Sequence, residues 1–206
     1  MLFRSIAEGA GLRPGQRALE LGCGTGMFTE HFARSGASLW AVDISPDLLE
    51  RARERGLPDH VTFVEGDIEQ CGLPGPFDAV IGSSVLHHLN VGVALRRIFD
   101  LTRPGGVLCF AEPNYLNPQV YLERRFCYWR CFSYTEPHET AFVRWRLARE
   151  LRRIGFVDVG IQPFDWLHPR TPRPMIGLVQ RLGLVMEQVP GLREFSGSVL
   201  IRARRL

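Results

Sequence analysis

Short apolar runs alternate with amphipathic stretches along the first half of this chain, the pattern of a parallel sheet with crossover helices. Strands are expected at Arg17–Leu21, Ser38–Asp43, Val61–Val64, Phe77–Ser83 and Val107–Glu112. Between them, helical spacing covers Phe3–Ala10, Met27–Ala33, a segment opened by Ser45-Pro46-Asp47, and Val91–Leu101. Ser45 is a side-chain acceptor at the N-cap, Pro46 fits the first helical position, and Asp47 suits the positive helix end. Gly56 ends that helix and Asn90 caps the next one. Pro104-Gly105-Gly106 turns the chain into the fifth strand. The second half reads as helices over Gln119–Phe132 and Met175–Val189, with strands at Phe156–Pro163 and Ser196–Arg204. A further helix begins at Thr135 or Glu136 and runs through Ala141–Ile154 to Gly155. His168–Pro174, with three prolines, is a stiff loop.

Composition changes this picture little. The 206 residues, 45% hydrophobic and 23% charged, suit one domain with a full core. No run spans a bilayer, Met1–Gly11 lacks a signal-peptide core, and five cysteines form no regular framework. The expected compartment is therefore cytoplasmic. Every basic residue is Arg, which excludes Schiff-base and P-loop lysine chemistry. Residues 1–103 hold 10 Arg against 13 Asp/Glu, a net of −3, whereas residues 104–206 hold 15 against 9, a net of +6. An anionic acceptor facing the second half is consistent with that split, and so is a solvated basic face.

The densest chemistry lies in Ala18–Gly26. Strand, glycine loop and helix together let backbone N–H groups approach a nucleotide-like ligand. A dinucleotide fingerprint needs a third glycine where this chain has Met27. Glu20, two residues before the first glycine, would repel a pyrophosphate but suits an ammonium or sulfonium group. Asp43 lies 21 positions after Gly22, close to the roughly 20-residue spacing of a carboxylate that binds ribose hydroxyls.

Glu20-x-Gly22-x-Gly24-x-Gly26, followed in order by Asp43, Asp67 and Pro104-Gly105-Gly106, resembles the class I S-adenosylmethionine-dependent methyltransferases in their small-molecule (type 11, ubiquinone-biosynthesis-like) variety. The resemblance covers most of residues 17–112. It implies a Rossmann-like three-layer α/β sandwich whose seven-stranded sheet is mostly parallel, with an antiparallel last strand and an aromatic helical insertion after strand five. S-adenosylmethionine is then the cofactor, S-adenosylhomocysteine the product, and a small molecule the acceptor at O, N or C. The positions carried over for the cofactor are Glu20, Gly22, Cys23, Gly24, Gly26, Asp43, Ile44, Asp67, Ile68, Ser83 and Ser84. Asp67 would take the adenine amino group while Ile68 packs on the ring. His88, His87 and Glu112 are the catalytic candidates, with His138 as a further base, and no metal is expected. Residues 1–112 would hold the cofactor, 113–138 would cap the substrate, and 139–206 would complete the sheet. The short segment ahead of strand one suggests an open site or a lid from elsewhere. An oxidoreductase using NAD(P) and a non-catalytic cofactor-binding scaffold remain alternatives.

Members that methylate nucleic-acid amino groups carry Asn/Asp-Pro-Pro-Tyr/Phe after strand four. This chain reads Ser83-Ser84-Val85-Leu86, so no nucleic acid is expected. Glu112 and Asn114, at the end of strand five, are expected to face the acceptor. Tyr121, Phe126, Tyr128, Trp129 and Phe132, interleaved with Arg124, Arg125 and Arg130, either build an acceptor pocket or seal the insertion. Cys127 and Cys131 lack further ligands at metal spacing and read as packing residues. The apolar helix at Met175–Val189 is a pocket wall, a dimer face or a membrane-surface helix; Arg181 alone on its basic side makes the last the weakest.

Overall fold

A computed structural model of the protein describes residues 2–125, 141–167 and 171–206. Seven strands form one sheet: β1 (Arg17–Leu21), β2 (Ser38–Asp43), β3 (Val61–Glu65), β4 (Phe77–Ser83), β5 (Thr102–Pro113), β6 (Phe156–Phe164) and β7 (Ser198–Arg205). Their order is β3-β2-β1-β4-β5-β7-β6. The first five pair in parallel, and β7 runs antiparallel to both β5 and β6. Strand order reverses between β1 and β4, and a ligand crevice opens at the carboxyl ends of strands flanking such a point.

The helices are α1 (Leu2–Ala10), α2 (Met27–Ala33), α3 (Pro46–Arg53), α4 (Val91–Leu101), α5 (Pro118–Arg125), α6 (Arg144–Ile154) and α7 (Ile176–Glu187). They cover both faces because the central strands are apolar on both. Leu19, Leu21, Val80, Leu108 and Phe110 pack with Leu95 and Ile98 of α4 and with Leu147 and Leu151 of α6. The alternate residues Ala18, Ala79, Ile81, Cys109 and Ala111 pack with Ile6 of α1 and Phe32 of α2. A two-residue side-chain period sends neighbours to opposite layers. Ser45 accepts from Leu48 N and Asn90 from Val93 N, as the capping pattern requires.

Three boundaries differ from expectation, each for a hydrogen-bonding reason. Strand β5 begins at Thr102, pairs once with Phe77, and resumes at Val107 opposite Ala79, so the Pro-Gly-Gly turn is a bulge within the strand. Residues Ala141–Val143 are not helical: Phe142 donates to Pro113 O at 3.0 Å and accepts from Tyr115 N at 3.0 Å, and α6 starts at Arg144. Strand β7 starts at Ser198 because Ser196 closes a short 3-10 turn on Arg193 O. Thr135, Glu136, His138 and the Phe126–Phe132 aromatics with Arg130, Cys127 and Cys131 lie outside the described residues.

Candidate functional site

The loop after β1 wraps through three left-handed glycines: Gly22, Gly24 and Gly26 have φ of 65°, 53° and 73°. They do different work. A Cβ on Gly22 would sit 2.7 Å from Val85 Cγ2, so this glycine admits the loop that follows β4. A Cβ on Gly24 would meet nothing within 4 Å, so this backbone faces open space at the carboxyl edge. Cys23 N donates to Val42 O at 3.0 Å, which ties the loop to β2.

Asp43, at the end of β2, clamps the loop. Its Oδ2 accepts from Gly24 N at 2.7 Å and its Oδ1 from Ser45 N at 3.0 Å. A carboxylate has about four acceptor positions, so capacity for hydroxyl donors remains on both oxygens. Ile44 beside it is 69% exposed, an open apolar platform next to that carboxylate. Asp67 turns its oxygens onto Glu69 N at 2.9 Å and Gln70 Nε2 at 3.1 Å. Ile68, expected to pack on a ring, is 7% exposed and packs against the main core.

Glu20 is buried within β1, and its Oε2 has no hydrogen-bond partner among the described residues. Burial lifts its carboxyl pKa to about 8; the nearby Thr29 hydroxyl opposes that shift and the Asp43 charge adds to it. A buried carboxylate with a vacant acceptor position is costly to leave so, unless a cationic partner arrives. Burial and then the Glu20 and Asp43 carboxylates push the Cys23 thiol well above its ordinary range, so it is no nucleophile.

The loop after β4 is held from β5. Ser84 adopts φ of 53° and donates its N–H to Ala111 O at 2.8 Å. Glu112, expected to face an acceptor, is enclosed: Oε1 accepts from Val85 N at 2.9 Å and Leu86 N at 2.8 Å, and Oε2 lies 2.8 Å from His87 Nδ1. Asn114 is enclosed as well, donating to the carbonyls of Glu194 and Ser196 at 2.8 Å each. His87 is buried, whereas His88 is exposed, with its ring 4.0 Å from that of His87. Ser83 ends β4 on the same side as the glycine loop. Val85 joins the two halves of the crevice, touching Gly22 while its own N–H is fixed by Glu112. No sequence signal marks Val85; only the contact with Gly22 reveals it.

A cavity of about 390 Å³ lies between the starts of α4 and α6, lined by Val91, Tyr115, Phe142, Arg146, Leu147 and Glu150. A second of about 330 Å³ separates α1 from α7, with Leu2, Ser5, Phe164, Leu167, Leu184 and Glu187 among its walls. Both flank the carboxyl edge, and neither contains the glycine loop. Among the described residues no group of three His, Cys, Asp or Glu could hold a metal ion, and no helix is long and apolar enough to cross a membrane.

Comparison with known proteins agrees with this arrangement. Residues 19–110 match the family model described as a methyltransferase domain. The chain is 37% identical over 158 residues to a malonyl-[acyl-carrier protein] O-methyltransferase of Serratia marcescens, covering 71% of this chain and 60% of that protein. It is 36% identical over 106 residues to a ubiquinone biosynthesis O-methyltransferase of Xanthomonas campestris, covering 49% and 44%. The chain thus spans less than two thirds of these relatives. An S-adenosylmethionine dependent methyltransferase from Mesorhizobium loti has the same fold, with a TM-score of 0.72 at 22% identity over 98% of this chain and 96% of that one.

Proposed function

We propose, since the chain belongs to the class I S-adenosylmethionine-dependent methyltransferase family, that it moves a methyl group from S-adenosylmethionine to a small-molecule acceptor. One observation carries the cofactor assignment. The vacant oxygen of buried Glu20 lies in the strand that leads into the open Gly24 backbone and the Asp43 clamp. That set fits a ligand with an ammonium group at one end and vicinal hydroxyls further along.

In this reading Glu20 meets the positive amino-acid end, and Gly22, Cys23, Gly24 and Gly26 present backbone to it. Asp43 takes ribose hydroxyls while keeping its bonds to Gly24 and Ser45. Ile44 covers the base, Asp67 and Ile68 border it, and Ser83 and Ser84 border the methionine end. The sulfonium supplies an electrophilic methyl that an acceptor atom displaces in line. The protein's part is alignment, which accounts for a large share of the rate enhancement of such a displacement. Glu112 and His87 act by holding Val85 and Leu86 in place. His88, exposed beside them, is the residue positioned to take a proton from an O–H or N–H acceptor.

Residues 1–112 form the cofactor half, 113–138 the acceptor cap and 139–206 the completing helix and strand pair. The cavity of about 390 Å³ is large enough for a small acceptor, and Arg146 and Glu150 at its wall offer it groups of both charges. Three cysteines among the described residues are unpaired, in keeping with a reducing cytoplasm. The test uses methyl-labelled S-adenosylmethionine, the purified protein and fractionated small-molecule and lipid extracts. Label should enter one acceptor, which mass spectrometry identifies. Cofactor binding without transfer to any fraction would point to the scaffold alternative.

A further inference from the structure

Helix α7 is apolar on both of its sides. Inward, Gly183 is buried against Trp166, where a Cβ would approach the indole to 3.2 Å. Outward, Leu178, Leu182 and Val185 on the helix, with Met175 just before it and Val189 just after it, recur at alternating spacings of three and four residues. In chain order they are 49%, 56%, 54%, 61% and 48% exposed. Such spacing places side chains along one line of a helix, and a helix apolar around its circumference is ordinarily covered on every side.

The charges around this line share one sign. From Thr171 to Phe195 the exposed charged residues are Arg173, Arg181 and Arg193. The two acids of the stretch are half-buried: Glu187 accepts from Asp165 N at 2.9 Å, and Glu194 pairs with Arg144 at 2.8 Å and lies 3.7 Å from Arg193, so Arg173 and Arg181 carry most of the free positive charge. The sequence places only Arg181 on the helix itself; the structure adds Arg173 and Arg193 at its flanks.

Two occupants suit an apolar line of this kind, and charge separates them. About half-exposed, these five aliphatic side chains offer on the order of 400 Å² of apolar surface per copy. A pair of copies would bury about 800 Å² of apolar side chain, and with a polar rim that reaches the low end of stable interfaces, so area alone does not exclude a second copy. Antiparallel pairing about Leu182, however, would bring two Arg181 side chains together. A lipid surface needs no matching partner area. Acidic headgroups attract the three guanidinium groups while the apolar line enters the acyl boundary.

We infer that the outward face of α7 docks the protein on an anionic lipid bilayer. Because β6 runs parallel to β5, α7 leaves the sheet at the edge that carries the glycine loop, and docking sets that edge beside the membrane. The inference does not rest on methyl transfer, and its test needs no cofactor. Purified protein is floated with vesicles of phosphatidylcholine alone, or with one quarter phosphatidylglycerol, at low and high salt. Wild type should float with the mixed vesicles, at least tenfold less with phosphatidylcholine, and less in high salt. Leu178→Ser/Leu182→Ser/Val185→Ser and Arg173→Gln/Arg181→Gln/Arg193→Gln should each lose flotation at least tenfold. Both alter exposed side chains, and unchanged thermal unfolding confirms their folds. Absence of flotation, or flotation indifferent to phosphatidylglycerol and to both variants, would overturn the inference. So would a dimer in sedimentation velocity that the serine variant abolishes, because a second copy would then occupy the face.

Discussion

Removing the Glu112 carboxylate tests how the crevice is held. In Glu112→Ala the backbone N–H groups of Val85 and Leu86 lose their acceptor, and His87 Nδ1 loses its carboxylate. A buried donor left unsatisfied costs about 1–3 kcal/mol, so three together cost roughly 3–6 kcal/mol after some relaxation. Against a typical total of about 5–15 kcal/mol the variant still folds, with a much lower midpoint. Glu112→Gln differs. Its amide oxygen keeps both backbone donors, and its NH₂ can donate to His87 Nδ1 once the imidazole shifts its proton to the other nitrogen. The charge-assisted part is lost, about 1–2 kcal/mol. Urea unfolding of the three proteins should rank wild type above Gln above Ala with a common m-value. Because Val85 packs on Gly22, cofactor affinity should fall in the same order. An alanine variant within about 1 kcal/mol of wild type, or a glutamine variant as unstable as alanine, would refute the role of Glu112 as the holder of the loop.

Further predictions follow from the glycine loop, Glu20 and His88. Glu20 holds its proton up to about pH 8 in the cofactor-free fold but releases it near its ordinary 4.5 when unfolded. Stability should therefore fall as pH rises between those values, by on the order of 4 kcal/mol, and level off above. Urea unfolding at pH 5.5 and 8.5 should show that Glu20→Gln removes this slope; an equal slope in the variant would acquit Glu20. Gly24→Ala has strain but room, so it should lower Tm by only a few degrees, about 1 kcal/mol, while weakening cofactor binding at least tenfold. Gly22→Ala collides with Val85 and should cost about 3 kcal/mol. Calorimetric melts that rank the two the other way would contradict these assignments. His88→Ala should lower kcat on the order of a hundredfold for an O–H or N–H acceptor; equal turnover would clear it of proton transfer.

Much of the fold was legible in the sequence because the first half obeys local rules. The apolar runs of β1 and β4, the Ser45-Pro46 start and the Asn90 cap each name an element within a few residues, and the structure repeats them. What escaped depended on distant partners. Ala141–Val143 has helical composition, yet Pro113 and Tyr115 claim the backbone of Phe142. Glu112 and Asn114 occupy a strand end where ligands bind, but neighbouring loops take up their hydrogen-bonding capacity. Asp43 was visible from spacing alone, whereas its clamp on Gly24 was not, because no sequence pattern says which N–H a carboxylate will reach. Met175–Val189 showed its helical period but not that one apolar line stays uncovered.

In the proposed function this crevice holds S-adenosylmethionine through Glu20, the glycine loop and Asp43. Isothermal titration of S-adenosylmethionine into the wild-type protein, Asp43→Ala and Glu20→Ala tests it most directly. Saturable sub-millimolar binding by wild type, weakened at least tenfold in each variant, with no heat from NAD(P), is the expected result. Absence of wild-type binding at millimolar concentration, or variants that bind as tightly as wild type, would contradict it.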